Sequence, residues 1–133
     1  LALIAQKQTE GYSIIQLGYT DDADKRALYH LAACYALPSH YEGFGMPVLE
    51  AMQYNTPVLL SDIPVFHEVA GDAAVFVDKD NIASISEGLS RLLRDKVLQQ
   101  DLVRKGKERL GLYSWEKNAS IIESAFTTLL KDR

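Results

Sequence analysis

Apolar residues gather in short blocks along the first part of the chain and recur at helical spacing along the last part. Tyr12–Leu17 (YSIIQL), Cys34–Leu37 (CYAL), Val58–Leu60 (VLL) and Ala73–Val77 (AAVFV) are brief runs bounded by glycine, proline or polar residues. Runs of that length and punctuation predict strands buried on both faces. Leu1 to Gln8 reads as the end of an amphipathic helix closed by Gly11. Asp21 and Asp22 offer N-caps for a helix through Lys25 to Ala33. Pro47 opens a helix to about Tyr54, because proline is tolerated at the first helical position, and Pro64 marks another start. Ile82, Ile85, Leu89, Leu92 and Leu93 fall on one helical face, and two further helices follow at about Lys96–Leu110 and Trp115–Leu130. Strands alternating with helices through short loops predict a doubly wound α/β domain, a parallel sheet with helices on both faces. Trp115 and the terminal helix are most simply core.

Composition narrows the class without changing this picture. The 133 residues suffice for one domain with a core, and 47% apolar with 24% charged residues is ordinary for a globular protein. A net charge of −4 supplies no basic stripe, so nucleic acid is not an expected partner. The single cysteine, Cys34, excludes an internal disulfide; its apolar setting suggests a buried thiol in a reducing, cytoplasmic environment. No apolar run approaches the roughly 18–20 residues of a membrane span, and no secretory signal pattern is present. The chain begins Leu1-Ala2-Leu3-Ile4, inside what reads as a helix and without methionine. The expectation is a piece of a longer protein.

Candidate chemistry concentrates in Ser39–Glu50, SHYEGFGMPVLE. This stretch joins the end of a predicted strand to the start of a predicted helix, which is where open α/β sheets bind ligands. Gly43 and Gly45 allow close backbone approach, and free N–H groups around Met46 to Leu49 make an anion site reinforced by the helix dipole. Glu50, about one turn past Pro47, is placed to accept from a ribose diol. Glu42, on the loop, is placed to accept from sugar hydroxyls or to face a carbon that becomes cationic as its bond to phosphate breaks. A nucleotide diphosphate sugar fits between them.

The string PSHYEGFGMPVLEAM, followed by NTPVLLSDIPVFHEVAGDAAVFVD, closely resembles the C-terminal, donor-binding domain of glycosyltransferase family 4. LGYTDDADKRALYHLA and the late YSWEKNA extend the resemblance from about Leu1 to the end. Members are retaining enzymes of the GT-B fold that use nucleotide-sugar donors and no metal, so no cofactor is expected. Their hallmark is two glutamates separated by seven residues, here Glu42 and Glu50, with a glycine–aromatic–glycine turn after the first. The resemblance implies that Glu42 contacts the donor sugar near its anomeric carbon as the catalytic residue. It further implies that Gly43, Phe44, Gly45 and Met46 wrap sugar and phosphates mainly through backbone N–H groups, and that Glu50 binds the ribose. Thr20, in the loop after the first strand, is expected against the nucleobase, with Lys25 a weaker candidate.

The chain also departs from the family. The basic pair that neutralises the diphosphate has no counterpart before Gly18, where Lys7 does not match its context. None of the 133 residues is expected to belong to the acceptor-binding N-terminal domain, so residues 1–133 are expected to form a single partial donor-binding domain, N-terminally truncated and inactive alone. The missing domain and the nucleotide-diphosphate sugar are its expected partners. A GT-B nucleotide-sugar epimerase and a non-catalytic nucleotide-sugar-binding module stand as alternatives. Phe44 serves equally as core plug or ligand contact. Asp22-Ala23-Asp24 and Asp78-Lys79-Asp80 read as caps or solvated turns, the three histidines lack metal-ligand spacing, and Ser39 lacks a nucleophile-elbow pattern. Glu68 reads as structural. In GT-B proteins a late helix packs back towards the partner domain, so the resemblance implies that some of the terminal helix's apolar surface is left uncovered.

Overall fold

The computed structural model describes residues 2–131. Along the chain the elements are α1 (Ala2–Thr9), α2 (Asp22–Leu31), β1 (Tyr35–Leu37), α3 (Met46–Gln53), β2 (Val58–Ser61), α4 (Pro64–Ala70), β3 (Ala74–Val77), α5 (Ile82–Arg94), α6 (Lys96–Leu110) and α7 (Trp115–Lys131). Helix starts follow the caps. The Asp21 side chain accepts from the Asp24 N–H, Asn81 from Ala83 and Ser84, and Asp95 from Leu98. The strands form one parallel sheet in the order β1-β2-β3, with Ala36 opposite Leu59 and Leu59 opposite Val75.

Alternation along β2 decides the layers. Val58 and Leu60 pack with Val48, Met52, Phe66 and Val69 of α3 and α4. Leu59, between them, faces the other way, onto Leu92 and Leu102 of α5 and α6. The sheet is therefore covered on both sides, as the doubly wound pattern predicts. Gly88 lets α5 approach closely: a Cβ there would fall 2.5 Å from Val77 Cγ1 and 3.3 Å from Leu59 Cδ1.

Two expectations are corrected. Tyr12–Leu17 forms no strand and is exposed, Ile15 to 77%. A strand requires a neighbour to take its N–H and C=O groups, and among the described residues β1 pairs with β2 alone. Trp115 is not core but 79% exposed, and Ile121, Ile122, Phe126, Leu129 and Leu130 are exposed as well. The stripe on α7 has helical periodicity, yet its apolar side chains stay exposed. Periodicity shows which face wants burial, not whether burial is met. Leu1, read from the sequence as lying within the first helix, is outside the described residues.

Candidate functional site

The site is built where β1 ends. Ser61, fully buried at the end of β2, donates to the Ser39 carbonyl at 2.6 Å and approaches the Leu37 carbonyl at 3.5 Å. This ties the departing β1 loop to the neighbouring strand. The Ser39 hydroxyl in turn donates to Glu42 Oε1 at 2.8 Å. Two serines thus set the height and orientation of the first glutamate.

At Gly45 the chain takes a φ of 92°, in the left-handed region, immediately before α3. The Val48 N–H closes onto the Gly45 carbonyl at 2.9 Å, and Pro47 has no N–H to offer. Of the amides expected free from Met46 to Leu49, that of Val48 is therefore spent, and further open ones lie upstream of Met46. The N–H groups of Gly43, Phe44, Gly45 and Met46 donate to no other backbone carbonyl among the described residues. Gly43 is open, with nothing near its Cβ position. Phe44 is no core plug: it is 38% exposed and meets the Tyr113 ring edge-on at 5.7 Å. The Tyr113 hydroxyl donates to the Glu68 carbonyl at 3.0 Å, and Arg109 donates to the carbonyls of Glu68 and Val69. Glu68 accordingly contributes main chain that anchors the turn's outer wall.

Glu50 projects from α3 to meet α2. Its Oε1 lies 3.4 Å from Lys25 Nζ, and its Oε2 accepts from the Tyr29 hydroxyl at 3.1 Å. The Lys25 ammonium is held above its ordinary pKa, first by this hydrogen bond and then by the charge of Glu50. The Tyr29 phenol is pushed up chiefly by burial, with Tyr35 and Glu50 adding. Tyr35 is raised by burial and then by the charges of both Glu42 and Glu50.

Two hollows adjoin Glu50. One of about 220 Å³ lies toward α2, lined by Asp22, Lys25, Arg26, Tyr29 and Tyr54. The other, about 490 Å³, is lined by Phe44, Met46, Leu49, Tyr113 and Trp115. Thr20 is half-buried beside the α2 cap and lines neither. Lys25, a candidate for the base, is turned to Glu50. Sequence reasoning passed over Tyr29, Ser61 and Tyr113; the only local signal was the spacing of Lys25 and Tyr29, four apart on one helical face. Of the acid–x–acid stretches, Asp78-Lys79-Asp80 is a turn in which Asp78 Oδ1 accepts from the Asp80 N–H at 3.0 Å, while Asp22 and Asp24 open α2 and Asp22 lies 3.6 Å from Lys25. Among the described residues no cluster of His, Cys, Asp and Glu is arranged to hold a metal ion, and no helix is long and apolar enough to cross a membrane.

Residues 2–109 match the family model described as glycosyl transferases group 1. Over 127 residues the chain is 34% identical to O-antigen chain mannosyltransferase B of Escherichia coli, covering 96% of this chain and 33% of that protein. It is 36% identical over 116 residues to a phosphatidyl-myo-inositol mannosyltransferase of Mycobacterium leprae, covering 85% and 31%. The fold superposes on sucrose-phosphate synthase from Thermosynechococcus elongatus with a TM-score of 0.85 at 24% identity, over 99% of this chain and 34% of that one. The chain spans about a third of the length of these relatives.

Proposed function

The chain belongs to the group 1 glycosyl transferases, and from that premise we propose that it is the part of a retaining glycosyltransferase that holds the nucleotide-diphosphate sugar. The observation that carries the proposal is the Gly43–Met46 turn, whose N–H groups are unspent, set at the head of α3 between Glu42 and Glu50. A turn of free amides at a helix start is a site for a diphosphate. Each Glu50 oxygen carries one protein donor and keeps room for another, so the carboxylate accepts a ribose diol without losing Lys25 or Tyr29. Glu42, braced by Ser39, puts negative charge beside the anomeric carbon.

In the proposed reaction the bond from the anomeric carbon to the diphosphate oxygen breaks, and the nucleoside diphosphate leaves with the electron pair. Amides of the turn stabilise the charge that develops on it, and Glu42 offsets the positive charge on the carbon. An acceptor hydroxyl, outside these residues, bonds to the same carbon with retained configuration, and its proton ends on the departing diphosphate. The names of the relatives point to mannose as the sugar transferred. No metal has a part in the proposal.

Titration of the full-length enzyme with ADP, GDP and UDP, followed by its turnover of the matching mannosyl donor, tests this. Glu50→Ala is expected to weaken nucleotide binding about 10–100-fold, the worth of hydrogen bonds to a charged group. Glu42→Ala is expected to leave binding near its original value and lower turnover by about two to three orders of magnitude. Turnover untouched in Glu42→Ala overturns its role.

A further inference from the structure

Glu50 does not choose its own orientation. Its two oxygens are divided between side chains one turn apart on α2, Lys25 on Oε1 and Tyr29 on Oε2. The two supports differ in stiffness. Lys25 is a flexible stem shared with Asp22 at 3.6 Å. Tyr29 is fixed from several sides: its ring lies parallel to Tyr54 at 6.2 Å and edge-on to Tyr35 at 5.6 Å. Its main-chain carbonyl accepts from Thr56 Oγ1 at 2.5 Å. With ring and backbone both held, the hydroxyl is presented to Glu50 Oε2 and is not free to wander. Thr56 is itself buried, at the start of the connection into β2, so the support reaches back into the core.

We propose that Tyr29 is a positioning residue that sets the plane of the Glu50 carboxylate to accept a vicinal diol, and so sets the site's preference for ribonucleotides over deoxyribonucleotides. The inference rests on Glu50 as the ribose acceptor. A diol held in two-point fashion needs both carboxylate oxygens in the plane of its two hydroxyls at once. The terminal torsion of a glutamate is intrinsically broad, so nothing within the side chain selects that plane. Tyr29 on one oxygen and Lys25 on the other select it. With the Tyr29 hydroxyl gone, Lys25 pins a single oxygen and the group turns about that contact. The diol then engages through one hydroxyl, while a nucleotide that has only one hydroxyl loses little.

The test compares affinities of the tightest-binding of ADP, GDP and UDP with those of its 2′-deoxy analogue. Wild type is expected to prefer the ribo form by about tenfold or more, as a site built to bond a hydroxyl does. Glu50→Ala is expected to bring the ratio to about one. Tyr29→Phe, which retains the ring contacts, is expected to cut the ratio at least about threefold through weaker ribo binding alone, with the deoxy affinity unchanged. Thermal unfolding establishes that each variant is folded. A Tyr29→Phe ratio equal to wild type, beside a collapsed Glu50→Ala ratio, overturns the role of Tyr29 and leaves the site standing. Equal weakening of both nucleotides by Tyr29→Phe also overturns it, since a structural part alone predicts that. An unchanged ratio in Glu50→Ala overturns the reading of Glu50 itself.

Discussion

A methyl group at Gly45 would sit 2.9 Å from Phe66 Cε1, at a φ of 92° that side chains seldom adopt. Gly45→Ala is therefore expected to cost about 1–3 kcal/mol through strain, read as a lower urea midpoint. Nucleotide affinity should fall with it, because the same bend aims the amides. The string EGFG followed by a proline made Glu42, Gly43, Gly45 and Glu50 legible without coordinates, since all belong to one continuous loop and turn. Ser39, Ser61 and Tyr29 were not legible in their roles. Each acts through a contact across 22 or 21 residues or through a hydroxyl that any surface serine would offer. Ser61→Ala leaves the Ser39 carbonyl without its buried donor and is expected to cost about 1–3 kcal/mol, checked by denaturant melts.

Among the elements, α2 couples local signals to the site. Asp21 caps it through the Asp24 N–H at 2.8 Å, and Lys25 follows one turn later. Asp21→Ala is expected to cost about 1 kcal/mol of stability and to fray the turn that carries Lys25, measurable by hydrogen exchange of the Asp24 amide. The helices from α2 to α7 were readable within a few residues, except α4, of which only the start at Pro64 was read, because caps, prolines and apolar spacing are local signals. Tyr12–Leu17 was misread for the opposite reason. Its apolar residues are as strand-like as those of β3, but a strand exists only through its partner. The terminal helix repeats the lesson: its periodicity was read correctly, and the uncovered apolar surface implied by the resemblance is there, but the core place read for Trp115 is not.

At the scale of the molecule, three weak acids on or beside β1 and α2 report the cost of burying charge. The Tyr29 and Tyr35 phenols and the Cys34 thiol are all pushed up, first by burial. The unfolded chain releases these protons near ordinary values, about 8.5 for a thiol and about 10 for a phenol, while the folded chain retains them. The folded state then binds more protons, so the stability these groups contribute is full below those values and is lost as pH rises through the higher folded ones. Urea midpoints are expected to decline from about pH 9 upward, and Tyr35→Phe should flatten the fall; a midpoint constant to pH 11 would contradict this. On the acid side, Lys105 holds Asp72 below its ordinary value, and Arg104 then Lys105 hold Asp101 down. Their share is present above the ordinary carboxylate range and fades as pH drops through it. Removal of divalent metal with a chelator is expected to leave donor turnover unchanged in the full enzyme.

By itself the sequence determined the class of fold, most helix boundaries, the family and the loop that bears the two glutamates, because each is encoded in neighbouring residues. Tertiary structure alone decided which amides of that loop stay unspent, which hydroxyls brace the carboxylates and which apolar faces find a partner. Those depend on groups distant in the chain meeting at hydrogen-bonding distance, a condition that no local pattern of side chains specifies.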